Sequence, residues 1–438
     1  MANDRSHRPE PVQRPEVHLN LNVRGLKQSA TVAINDLSNA KSARGERVFK
    51  FGLGQSPFPV PSSVLQALKE NAHQKAYLPA AGCFELREAV AEHTKRNFKV
   101  SRSPEDVLVG PGSKELMFLL QLSYYGDLLI PTPSWVSYQP QAKIIGRRVF
   151  MIQTSAEEGW RITPEEFHGI CVDDPHRPRI VILNYPNNPS GFTYKSAYLK
   201  EIAEVAREHR VILLSDEIYG DLHHKGQHVS IARYYPEGTI ISSGLSKWCG
   251  AGGWRIGTFL FPPQLAWLRQ AMTSVASETF TSTCAPIQYA AVRAYQGGED
   301  IDLYLRSSRI ILGKLGRWCA RRLLAANVQV DLPKGAFYLF PDFSTYRDKL
   351  AAKGIVTGAD FAKRVLEETG VAFLPGSEFG RPEEELTARL AYVDFDGGPP
   401  LGEVMAGGGT DQLDDDFLPK YAPKVQEGID RLCEWLEG

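Results

Sequence analysis

The chain lacks the features that would tie it to a membrane, a nucleic acid or a disulfide framework. No apolar run in its 438 residues approaches the ~18 needed to span a bilayer. With 50 basic and 51 acidic residues the formal net charge is −1, so no field of one sign invites nucleic acid or an anionic surface. Cysteine is sparse: six residues, at 83, 171, 249, 284, 319 and 433, form no CxxC pair. That argues against zinc or disulfide staples and fits a reducing compartment. The first fifteen residues are polar, contain prolines and carry no apolar signal core, so a cytoplasmic location is expected. No internal repeat is visible.

Nucleotide fingerprints are also missing. Val107–Leu120 reads as strand, glycine turn and helix, but Gly110 stands too close to the Ser113–Lys114 pair for a Walker A loop. Glu115 occupies the last glycine slot of a dinucleotide fingerprint, and Arg255 occupies it in the stretch after Lys247. Neither ATP nor NAD is supported. His223, His224 and His228 cluster in a polar, Gly-containing turn with no cysteine nearby. A solvated hairpin is expected there, and no metal site.

What is present is a series of apolar strand runs ending in chemically useful residues. Ile241–Gly257 carries Lys247 after a short strand and Arg255 after a glycine-rich turn. A lysine amine so placed can form a Schiff base with an aldehyde cofactor, and the arginine offers a forked donor for phosphate. Val211–Tyr219 ends in Asp216, which can keep a pyridine nitrogen protonated, and Tyr219, which can donate to a ring oxygen. Arg179–Gly191 ends in a Pro/Asn turn with Asn188 as a second donor to that oxygen. Gly112, Ser113 and Lys114 form an anion site at a helix start. Trp135, past the strand Asp127–Ile130, can stack on a flat ring whose other face Ile218 closes. Each piece alone has a plainer reading as a helix cap, a core aromatic, a turn or a solvated charge. Five strand ends suited to one flat, phosphorylated aldehyde is a larger coincidence, and parallel sheets bind ligands at those ends.

At these residues the chain resembles the class I/II aminotransferases, in the fold-type I (aspartate aminotransferase-like) superfamily of pyridoxal 5′-phosphate enzymes, from about Phe51 to the C-terminus. The resemblance implies that Lys247 holds the cofactor and shuttles the proton, and that Asp216 pairs with the pyridine nitrogen. It implies that Tyr219 and Asn188 bind the ring oxygen, that Trp135 stacks, and that Gly112, Ser113, Lys114, Ser246 and Arg255 surround the phosphate. Phe51–Pro61 resembles the segment whose glycine, here Gly54, lies beside the substrate. Tyr77-Leu-Pro-Ala-Ala-Gly82 resembles the segment whose tyrosine reaches the phosphate of the neighbouring subunit, which implies a homodimer with shared active sites. Thr387–Tyr392 resembles the strand whose arginine, here Arg389, grips the substrate α-carboxylate. The implied reaction moves an amino group between an L-amino acid and a 2-oxo acid, in amino-acid metabolism. β-Lyase, decarboxylase, cyclising synthase and oxidase chemistries are the alternatives on such a site.

Two departures stand out. Gly244 replaces a frequent phosphate-binding serine, leaving Ser243 or Ser246 to substitute. Residues 395–417 form a Gly/Asp-rich stretch longer than usual, read as a mobile flap near the substrate mouth. The expected architecture is α/β: a large domain with a mainly parallel sheet between helices, and a smaller α/β domain. Its divisions are 1–60 as an arm and joining segment, 61–298 as the cofactor-binding domain and 299–438 as the small domain. Residues 1–20 are read as a loosely docked arm, Gln28–Ala43 and Glu299–Ala326 as helices, and Gly335–Phe340 and Arg389–Val393 as strands.

Overall fold

The computed structural model describes residues 18–411, 413 and 416–438. Most of the expected N-terminal arm therefore lies outside the described residues. The central feature is a seven-stranded sheet built from β1 (Val107–Gly110), β2 (Asp127–Thr132), β3 (Val149–Gln153), β4 (Arg179–Asn184), β5 (Ile212–Asp216), β6 (Thr239–Gly244) and β7 (Gly257–Leu260). Its spatial order is β1-β7-β6-β5-β4-β2-β3. All neighbours are parallel except around β7, which runs antiparallel to both β1 and β6. The expected mixed α/β fold with a mainly parallel sheet is therefore what forms.

Continuous apolar runs suit these strands because both faces are covered. Ile180, Ile182, Ile212, Leu214 and Ile240 point to one side, against Leu116 and Leu120 of the helix Ser113–Ser123 and Met272 of Ala266–Thr279. Val181, Leu183 and Leu213 point to the other, against Phe167 of Pro164–Val172 and Leu199, Ile202, Ala203 and Ala206 of Ser196–Glu208. The period of two in the strands thus meets the expected apolar stripe of the helix.

The C-terminal portion hangs on the helix Glu299–Ala325. It holds a three-stranded antiparallel sheet in which Ala388–Ala391 lies between Leu374–Pro375 and Tyr338–Leu339. The strand expected over Gly335–Phe340 is shortened to two residues, and Ala336 has a positive φ of 55°. Phe49–Lys50 pairs in parallel with Val371–Ala372, so the segment before residue 60 is tied to this portion. The N-terminal helix spans Ala30–Ala43.

Two expectations are corrected. The 395–417 stretch is not a flap throughout: Gly398–Ala406 is a helix with prolines in its first turn. Leu401 and Val404, one turn apart, are buried in the main core, and residues 412, 414 and 415 lie outside the described residues. Nor is the histidine turn a solvated hairpin. His223 and His228 are buried, and His228 Nε2 contacts Glu217 Oε2 at 2.7 Å. Burial holds the imidazoles of His223 and His224 down to about 4. Among the described residues no helix is long and apolar enough to cross a membrane.

Because the helix Gly398–Ala406 is packed, Leu401→Ala is expected to cost about 2–3 kcal/mol in urea unfolding. An unchanged midpoint would mean that the segment is not part of the core.

Candidate active site

The parallel strands end at one level, and that register builds the site. Asn184 pairs with Asp216, and Asp216 with Ser242, across β4, β5 and β6. Beyond these ends lies a cleft of about 460 Å³, within the range that holds a small cofactor. Ten of the expected residues line it: Gly54, Ser113, Lys114, Trp135, Asn188, Asp216, Tyr219, Ser246, Lys247 and Arg255. Ile218 lines it too. A larger hollow of about 1000 Å³ beside residues 21–30 shares Lys114 but neither Lys247 nor Asp216.

Lys247 leaves the end of β6 and reaches across the cleft. Its Nζ donates to the Gly54 carbonyl at 2.7 Å. Burial, then the nearby Arg389 and Arg255 charges, lower its ammonium to about 8 against the opposing pull of Asp216. Asp216 is buried and accepts from Tyr138 Oη at 2.6 Å and, at 3.4 Å, from the Ile218 N–H and Ser242 Oγ. Burial nevertheless raises its carboxyl to about 6, so it awaits a cationic partner. Tyr138, not singled out from the sequence, makes the shortest of these bonds and so orients the carboxylate. Asn184, not singled out from the sequence, donates to the Asp216 backbone carbonyl at 2.9 Å and accepts from the Asn188 N–H at 2.7 Å.

Arg389 does not line the cleft but sits behind it, 1% exposed. It donates to Asn188 Oδ1 at 3.0 Å and to the Gly52 carbonyl. Its Nε has no partner, and no carboxylate among the described residues forms a salt bridge with it. A buried guanidinium without an anion is an unbalanced charge. Asn188 Oδ1 is thereby committed to Arg389, which leaves its amide nitrogen as a donor to the cleft.

The remaining expected residues divide. Gly112 stands beside the cleft with a φ of 90°, and a Cβ there would meet Arg255 Nη2 at 2.2 Å. Arg255 itself holds a left-handed φ of 58°, backbone strain retained at the edge of the site. Its guanidinium donates to the Gly252 carbonyl at 3.0 Å. One face of Trp135 is engaged by Lys114, whose Nζ lies 5.0 Å from the ring centroid. Of the two serines expected to replace the one missing at 244, Ser246 lines the cleft and Ser243 does not. Tyr77 is 88% exposed and outside the cleft. His168, Glu208 and His209 could together hold a metal ion on the helical surface, but none lines the cleft.

Three cations, Lys114, Lys247 and Arg255, thus line a cleft with one carboxylate, and a fourth is buried behind it. This set suits an anionic, ring-bearing group and an anionic substrate. The profile of the family "Aminotransferase class I and II" matches residues 46–392. The chain belongs to this family. The aspartate aminotransferase of Geobacillus stearothermophilus is 34% identical over 389 residues, covering 85% of this chain and 93% of that protein. That of Bacillus sp. (strain YM-2) is 33% identical over 380 residues, with the same coverage. The solved aspartate aminotransferase from Thermus thermophilus with maleate superposes with a TM-score of 0.82 at 28% identity, over 96% of this chain and all of that one. The protein is therefore an aminotransferase of the aspartate aminotransferase-like fold, and transamination is favoured over the lyase, decarboxylase, synthase and oxidase alternatives.

In this aminotransferase the Lys247 amine is expected to react with an acylating reagent with a pH midpoint near 8, followed by competitive labelling and mass spectrometry. Solvated lysines titrate at about 10.4. A Lys247 midpoint at that value would contradict the burial described.

Proposed function

We propose that the cleft binds pyridoxal 5′-phosphate and exchanges an amino group between an L-amino acid and a 2-oxo acid, with Lys247 as the covalent attachment point and proton carrier. The observation that carries this reading is the Lys247 amine, lowered to about 8, in a cleft whose lining has Asp216 as its one carboxylate. When bound, the pyridine ring supplies an electron sink for the pair released at the substrate Cα.

The chain's own residues would act as follows. Asp216, oriented by Tyr138 and Ser242, keeps a proton on the pyridine nitrogen. Tyr219 and the Asn188 amide donate to the ring oxygen. The free N–H groups at the start of the helix Ser113–Ser123, with Gly112 allowing close approach, face the phosphate. Ser113, Lys114, Ser246 and Arg255 complete that anion site. Trp135 and Ile218 bound the two faces of the ring. Arg389, with its unpartnered Nε, receives the α-carboxylate, and Gly54 lies beside the substrate. Lys247, poised near neutrality, takes the α-proton at Nζ and returns it.

Relatives named aspartate aminotransferase and asparagine–oxo-acid transaminase support amino-acid and 2-oxo-acid substrates. The reading extends to a cytoplasmic homodimer in amino-acid metabolism. The exposed Tyr77 supports it as a residue free to reach the neighbouring subunit's phosphate. We divide the chain at about residues 60 and 298 into a joining segment, a cofactor-binding domain and a small domain.

Lys247→Ala is expected to retain the fold and lose turnover; activity near wild type would refute the assignment. Arg389→Lys removes the forked donor and is expected to lower kcat/KM about 100-fold. An unchanged KM and kcat would remove Arg389 from the substrate site.

A further inference from the structure

We propose that Tyr338 is a positioning residue for this reaction: its hydroxyl donates to Tyr219 Oη and so leaves the Tyr219 proton aimed into the cleft. The proposal rests on the reading of Tyr219 as the donor to the cofactor's ring oxygen.

The two phenol oxygens lie 2.7 Å apart. Tyr219 is 2% exposed and Tyr338 1%. Among the described residues this is the one hydrogen bond recorded for either hydroxyl. Two protons serve one bond, so the second must find an acceptor elsewhere. If Tyr219 donated to Tyr338, the Tyr338 proton would be left in the interior, on a phenol whose ring centroid lies 4.9 Å from the Arg389 guanidinium. A buried unpaired donor beside a cation is the costly arrangement. If Tyr338 donates instead, the free proton belongs to Tyr219, which lines the cleft, whereas Tyr338 does not. A ring oxygen or water can accept it there. The direction of the bond is thus set by which phenol faces the ligand.

The local sequence is shaped to admit this hydroxyl. A Cβ at Gly54 would lie 1.9 Å from Tyr338 Oη, so the residue whose carbonyl holds Lys247 also clears space for Tyr338. Tyr338 sits opposite Ala391 in the small sheet, on the strand that carries Arg389. The phenol pair therefore links the sheet bearing the substrate arginine to the end of the large sheet. In such a chain each bond polarises the next by about 10–30%, which makes Tyr219 a stronger donor than an isolated phenol.

The test is a spectrophotometric pH titration of the visible band that the full-length protein gains with pyridoxal 5′-phosphate. It compares wild type, Tyr219→Phe, Tyr338→Phe and the double variant. A donor to the ring oxygen lowers the pH at which the lysine–cofactor linkage gives up its proton. Tyr219→Phe should therefore raise the midpoint. Tyr338→Phe should raise it in the same direction by a smaller amount, about half a unit. The double variant should sit at the Tyr219→Phe value, because Tyr338 acts only through Tyr219. A Tyr338→Phe midpoint equal to wild type, with or without a raised KM, would overturn the proposal while leaving the reading of the cleft intact. So would two shifts that add. A wild-type protein that gains no visible band would overturn both.

Discussion

Excess positive charge is the constraint around which this structure is arranged. Lys114, Lys247 and Arg255 line a cleft whose lining has Asp216 as its one acid, and Arg389 is buried behind it. Gathering cations out of water is costly unless something anionic repays it. On the proposed reading, a cofactor phosphate on one side and a substrate carboxylate on the other would balance it. The same field, added to burial, is what holds Lys247 near neutrality. An amine that must attack a carbonyl carbon and then accept a proton is useful only if it is not locked as an ammonium. Burial, with the crowding of like charges added to it, is therefore what keeps this amine available.

The large sheet supplies the geometry that this charge requires. Strands β4, β5 and β6 are buried throughout, which fixes their register. That register sets Asn184, Asp216 and Ser242 side by side. A bond network then orients Asp216 from three directions, through Tyr138, the Ile218 N–H and Ser242. Arg389 arrives from a different sheet and is joined to the site through Asn188 and Tyr338. The cleft thus lies at the ends of one sheet, tied to a second sheet that shares its core.

Much of the site was legible in the sequence because its residues follow apolar strand runs at short, regular offsets. Lys247, Asp216, Tyr219, Asn188, Ser113 and Trp135 all stand just past such runs. Their shared destination follows from the habit of parallel sheets to expose one set of ends. Tyr138 and Tyr338 were not legible as site residues. Their partners lie 78 and 119 positions away, and nothing local separates a phenol that holds a carboxylate from one that fills a core. The helix Gly398–Ala406 was hidden by its glycines and prolines, although Leu401 and Val404 carry a helical spacing. The histidine turn looked solvated because its neighbours are polar, while His228 is packed by Phe98 and Tyr185 and bonded to Glu217, all outside the turn.

The proposed chemistry requires a bond between the Lys247 amine and an aldehyde. Incubating the full-length protein with pyridoxal 5′-phosphate, reducing with borohydride and mapping the modified peptide tests it directly. A phosphopyridoxyl adduct confined to Lys247 is expected. An unmodified Lys247, or an adduct distributed over surface lysines, would contradict it.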